Sequence, residues 1–97
     1  MTDVGIIIAG SLHHAVTSAV IDWGWRQIGK TEFEAPDGRR ARYVADQPGA
    51  ACYGRAAGTP VYLGYLSYTR RDRREFDQMF ACGRLVAVYP DRVRRYR

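Results

Sequence analysis

The order of hydrophobic patterns along the chain predicts a single small domain of the α/β class, or of the related α+β class, with a mixed sheet and two helices. Three observations point there. A continuous β-branched run opens the sequence at Val4-Gly5-Ile6-Ile7-Ile8-Ala9, a hairpin signature fills Thr31 to Val44 around Pro36-Asp37-Gly38, and two helical stripes each stop at a glycine, Gly24 and Gly83. A chain of 97 residues has room for one core, because a domain of this size buries roughly 60 to 65% of the surface its unfolded chain exposes. The expected domain covers residues 1–91, with a basic tail over 92–97.

The opening run lacks polar alternation, as expected of a strand covered on both faces. Ser11 offers an N-cap. Leu12, Val16, Ala19, Val20 and Trp23 then recur at three- and four-residue spacing, the stripe of an amphipathic helix that Gly24 ends.

Pro36-Asp37-Gly38 suits a type I turn closed by a left-handed glycine, a common three-residue hairpin connection. If Ala35 faces Arg39, then Glu34 faces Arg40, Phe33 faces Ala41 and Glu32 faces Arg42. One face becomes a ladder of opposite charges worth roughly 0.2 to 1 kcal/mol per pair, while Phe33, Ala35, Ala41 and Tyr43 look inward.

Asp46 to Pro60 is rich in Gly, Ala and Pro and reads as a long connection. Val61 to Leu66 follows as a buried or half-buried strand. Thr69 and Asp72 resemble a capping box, and Phe76, Met79 and Phe80 form the stripe of a second helix. Leu85 to Tyr89 is the last strand. Strand, helix, hairpin, strand, helix, strand in this order gives a two- or three-layer sandwich with right-handed crossovers.

The chain carries a formal charge of +5, with fourteen Arg and only Lys30 as lysine. Guanidinium groups bind phosphate and carboxylate bidentately and stack on aromatic rings, although a GC-rich genome also produces arginine bias. Cys52 and Cys82 form neither a disulfide framework nor a C-x-x-C pair, so a reduced, cytoplasmic protein is expected. Ile6 to Ala9 is too short to span a bilayer, and Asp3 with no leading Lys or Arg is unlike a signal peptide. No membrane partner is expected.

Gly24-Trp25-Arg26-Gln27-Ile28-Gly29-Lys30-Thr31 matches the phosphate-binding pattern G-x-x-x-x-G-K-[ST]. That pattern works where a strand feeds the loop and a helix begins at its Lys-Ser/Thr end. Here a helical stripe precedes it and a hairpin follows. Nucleotide binding through Gly24, Gly29, Lys30 and Thr31 is therefore a minor alternative, and Lys30 and Thr31 read as strand-entry residues.

Gly5-Ile6-Ile7-Ile8-Ala9-Gly10-Ser11-Leu12-His13-His14-Ala15, then a helix, a hairpin, and Gly54-Arg55 before Thr59-Pro60-Val61-Tyr62-Leu63-Gly64, resembles the middle of a helicase or phage-terminase P-loop core. The resemblance covers about two thirds of the chain. No phosphate loop stands before the first strand, and no acidic residue follows Val61 to Leu63. The resemblance thus implies a degenerate, non-catalytic module of phage or mobile-element type.

Arg70, Arg71, Arg73 and Arg74 at the start of the second helix, with Arg84, Arg92, Arg94 and Arg95 near the last strand, form the leading candidate site. Grouped Arg beside Tyr68, Tyr89 and Tyr96 suits phosphates and stacked bases. The bland alternative is a solvated helix face neutralised by Asp72, Glu75 and Asp77. Arginines in a first turn oppose the helix macrodipole by a few tenths of a kcal/mol each, a local conflict that favours function.

His13 and His14 with Cys52 and Cys82 lack metal-site spacing, since consecutive helical residues point about 100° apart. Ser11, Ser18 and Ser67 show no local activating context for nucleophilic catalysis, and Cys82 is expected to be packed. Trp23 belongs to the helical stripe, whereas Trp25, Tyr53 and Tyr68 are expected at a protein-interaction surface.

The sequence therefore leads to a non-enzymatic module that contacts DNA or RNA through the arginines, with neither cofactor nor metal. The alternative is a small regulator or inhibitor, of phage type, that binds a protein partner and is able to homodimerise.

Overall fold

Each predicted strand finds its place in one six-stranded mixed sheet of order β2-β3-β4-β1-β5-β6. The computed structural model describes residues 4–44, 51, 55–65, 67 and 73–92. The strands are β1 (Val4–Ile8), β2 (Arg26–Gln27), β3 (Glu32–Glu34), β4 (Arg40–Val44), β5 (Thr59–Leu63) and β6 (Leu85–Val88). β1 pairs in parallel with β4 and β5, β5 pairs in parallel with β6, and β2, β3 and β4 are antiparallel neighbours.

β1 is central because its residues are apolar on both faces. Ile7 and Ala9 enter a core with Ala15, Ala19, Trp23, Trp25, Phe33, Ala35, Ala41 and Tyr62. Ile6 and Ile8 enter a second core with Ala51, Val61, Phe76 and Leu85. The period of two along a strand separates these sets. The first helix covers one face and the second covers the other, making three layers.

The hairpin register is the one that turn chemistry predicts: Glu34 faces Arg40, Phe33 faces Ala41 and Glu32 faces Arg42. Gly38 takes φ +92°. The turn closes with the Gly38 amide donating to the Ala35 carbonyl at 2.9 Å and the Ala35 amide donating to the Arg39 carbonyl at 2.7 Å. The charge ladder forms at Arg42–Glu32, 2.6 Å, and Arg40–Glu34, 3.6 Å. β2 adds a third rung that the hairpin pattern does not contain, since Arg26 also pairs with Glu34.

The first helix departs from ideal geometry. α1 (Leu12–Val16) continues into a wider, π-type segment over Thr17–Asp22, in which the Trp23 amide reaches back five residues to Ser18 at 3.0 Å. The hydroxyls of Thr17 and Ser18 donate to the carbonyls of His13 and His14 at 3.0 and 2.9 Å, competing with backbone amides for those acceptors. A wider turn keeps positions four apart on one side. Ala15, Ala19 and Trp23 are buried as a result, while Val16 and Val20 of the predicted stripe are half-buried. Gly24, at φ +72°, ends the helix as expected.

That left-handed glycine overturns one expectation. It folds the chain back beneath the helix, where Trp25 is 4% exposed, with its ring 5.3 Å from Trp23 and edge-on to Tyr62 at 4.8 Å. Trp25 is a core residue and not a surface anchor. Tyr53 and Tyr68, and the capping box expected at Thr69 and Asp72, lie outside the described residues.

α2 (Arg73–Ala81) buries Phe76 and rests Met79 and Phe80 on the second core, stopping at Gly83 with φ +82°. β5 begins at Thr59, two residues before the predicted start, and Cys82 is exposed rather than packed. Among the described residues no helix is long and apolar enough to cross a membrane.

Candidate functional site

The parallel pairing of β5 with β6 forces α2 to run back against both strands. Its first turn therefore lies toward the carboxyl end of β5. Its last turn meets the amino end, where the Gly58 amide donates to the carbonyls of Gly83 and Arg84 at 3.0 and 3.1 Å. A nine-residue helix spans about 13 Å. Arg73 and Arg74, adjacent and exposed, thus sit at one end of the sheet and Arg84 at the other. Arg92 lies beyond β6 on the α1 face, close enough to act electrostatically on Tyr65. Arg70, Arg71, Arg94 and Arg95 lie outside the described residues.

The structure places Arg73 and Arg74 in one turn at one end of the sheet and Arg84 at the other end. Arg73 approaches Asp77 at 4.0 Å, with side chains 69% and 59% exposed. Such a solvated pair contributes a few tenths of a kcal/mol and is easily exchanged for another anion. The arginines of the hairpin, by contrast, are engaged with Glu32, Glu34 and Asp37.

The G-x-x-x-x-G-K-T stretch occupies different ground. Gly24 is the helix stop, Arg26–Gln27 is β2, and Gly29 to Thr31 turn the chain into β3. The Ile28 and Gly29 amides donate to the Glu32 carbonyl at 2.9 and 3.3 Å, the Thr31 carbonyl accepts from the Tyr43 amide at 2.8 Å, and the Gln27 side chain donates to the Lys30 carbonyl at 3.1 Å. These amides close a hairpin instead of converging on a phosphate, and Lys30 is followed by a strand.

One arrangement escaped the sequence. β1 leads into α1 on one face and β5 leads toward α2 on the other. Neighbouring parallel strands that diverge in this way create the crevice where open α/β sheets bind ligands. Ser11 caps α1 there, its Oγ accepting the His14 amide at 3.2 Å. Nδ1 of His14 lies 2.7 Å from the same Oγ, within hydrogen-bond distance. Beside it, Ser18 is buried, donates to the His14 carbonyl and accepts the Tyr65 amide at 2.8 Å. The Gly10 amide donates to the Tyr65 carbonyl at 3.0 Å.

His14 stands against Ser11, three residues on, a neighbour that the sequence reading did not single out. Among the described residues no carboxylate orients His14, and the contact belongs to the helix N-cap, the Ser11 hydroxyl accepting the His14 amide while the imidazole lies against the same oxygen. The signal was the Ser-x-x-His spacing at a helix start. Farther along the same helix, Tyr65 donates its hydroxyl to Asp22. That hydrogen bond, aided by local burial and by the carboxylate's charge, raises the Tyr65 pKa above 10.0, while Arg92 pulls it down.

Among the described residues no three His, Cys, Asp or Glu side chains group as metal ligands. A scan against protein-family models finds no match, and neither do searches of the curated proteins and of the solved structures.

Proposed function

We propose that the protein is a non-enzymatic nucleic-acid-binding module whose phosphate contacts are made by the start of α2 and the C-terminal segment. The observation that carries this is where the charge lies. Residues 70–97 contain nine Arg against Asp72, Glu75, Asp77 and Asp91, a surplus equal to the +5 of the whole chain. The hairpin arginines are engaged in a ladder with Glu32, Glu34 and Asp37, whereas Arg73 and Arg74 are exposed in the first turn of α2, Arg73 approaching Asp77 at 4.0 Å. Guanidinium groups gathered at a helix start suit phosphate oxygens.

The contact is narrower than composition alone implies. Arg73 and Arg74, with their sequence neighbours Arg70 and Arg71, form its centre, and Arg84 lies outside it. Binding of this kind is electrostatic, tolerant of sequence and strongly weakened by salt. The test is fluorescence anisotropy with generic single- and double-stranded DNA and RNA across a salt series. A negative slope of log affinity against log salt supports the proposal. No binding to any of the four at low ionic strength overturns it.

A further inference from the structure

We propose that the cavity between the hairpin turn and the segment after β6 binds a free aliphatic amino acid in its zwitterionic form. The cavity has a volume of about 280 Å³. It lies on the α1 face of the sheet, whereas α2 and its arginines lie on the other. The buried Trp23 and Trp25 form its inner wall, and the exposed Asp37, Arg39 and Asp91 stand at its rim. A mostly apolar cleft with a few convergent polar groups is the usual form of a small-molecule site.

Unanswered polar groups select the ligand. Trp23 and Trp25 are 5% and 4% exposed, yet among the described residues neither indole N–H has a hydrogen-bond acceptor. Buried donors left in this way are costly, and they call for an oxygen inside the cavity. Arg39 sits over the Tyr62 ring at 5.8 Å with its Nε donating to Asp37 at 2.7 Å. Its Nη1 reaches only the Tyr62 hydroxyl, at 3.5 Å, so the outer edge of the guanidinium keeps donors for a carboxylate. Asp91 makes no ion pair among the described residues and calls for a cation. An ammonium and a carboxylate on one carbon meet both demands within a cavity of this size, and an aliphatic side chain suits the indole wall. A lone cation leaves the indoles and Arg39 unanswered, and a lone anion leaves Asp91. Two carboxylates against one guanidinium at the rim also disfavour a polyanion, so this site is independent of the nucleic-acid reading.

Trp23 and Trp25 are the only tryptophans in the chain, so its intrinsic fluorescence reports on this cavity. The test titrates the full chain, free of nucleic acid, with L-alanine, L-valine and L-leucine, and with two valine analogues that each lack one charge, isobutylamine and isovalerate. At least one amino acid is expected to change the emission saturably, and the analogues to bind about tenfold or more weakly than L-valine. Asp91→Asn is expected to weaken L-valine about tenfold while leaving isovalerate unaffected. Arg39→Gln is expected to weaken L-valine to a similar degree while leaving isobutylamine unaffected. Far-ultraviolet circular dichroism checks that each variant is folded. No saturable change with any of the three amino acids at about 10 mM, an analogue that binds as tightly as L-valine, or affinity indifferent to both substitutions overturns the proposal.

Discussion

The buried hydroxyl of Ser18 accepts the backbone amide of Tyr65 at 2.8 Å across 47 residues of chain, tying the first helix to the end of β5. Gly64 makes this approach feasible: a Cβ there would lie 2.8 Å from Ser18 Oγ and 3.2 Å from the Cβ of Ala9. Ser18→Ala leaves the Tyr65 amide without its partner and is expected to cost about 1–3 kcal/mol. Gly64→Ala is expected to cost about the same through overpacking. Because both act on one contact, the double variant Ser18→Ala/Gly64→Ala loses less than the sum of the singles. Urea unfolding of the parent chain and the three variants checks this.

Tyr65 supplies a pH signature. Its hydrogen bond to Asp22 raises its folded pKa above the unfolded value of 10.0. The bond therefore contributes stability that is fully present below pH 10 and is lost as pH rises through the folded value. Ultraviolet titration should find one tyrosine ionising above the others, and Asp22→Asn should lower it toward 10. A titration unchanged by Asp22→Asn would refute the coupling.

The hairpin separates backbone from charge effects. Gly38 has φ +92°, and a Cβ there would meet nothing within 4 Å. Gly38→Ala thus tests conformation alone and is expected to cost about 1 kcal/mol, with Gly38→Asn costing less. Asp37 accepts the Arg39 amide, which with the neighbouring guanidinium lowers its pKa below 3.8. Its contribution is present above pH 3.8 and lost as pH falls through the folded value. Asp37→Asn should flatten the acid limb of a stability profile.

Nucleic-acid contact predicts a contrast between two sets of arginines. Arg73→Ala and Arg74→Ala should each reduce the magnitude of the salt slope by about 1. Arg40→Ala and Arg42→Ala, removing ladder arginines, should leave that slope unchanged while costing under about 1 kcal/mol of stability. Anisotropy titrations at several salt concentrations read the first effect and chemical denaturation the second. Equal loss of affinity in all four variants would point to net charge and not to a site.

Local chemistry made much of the fold legible. The β-branched run, the Pro36-Asp37-Gly38 turn and the glycine stops act within a few residues, so strand, hairpin register and helix ends follow directly from neighbours in the chain. The site was less legible. Proximity of arginines in sequence says little about which end of a sheet they occupy, and only the parallel β5–α2–β6 crossover separates Arg84 from Arg74. Ser11 with His14 was readable as a spacing, but its position at the divergence of β1 and β5 was not.

By itself the sequence determined that one small sheet forms with apolar faces on both sides, because alternation and turn propensity are properties of neighbouring residues. Tertiary structure alone decided that Trp25 turns inward, that the first helix widens at Thr17, and that β6 is the last strand of the sheet beside β5. Each of these depends on contacts between segments distant in the chain, whose packing outweighs local preference.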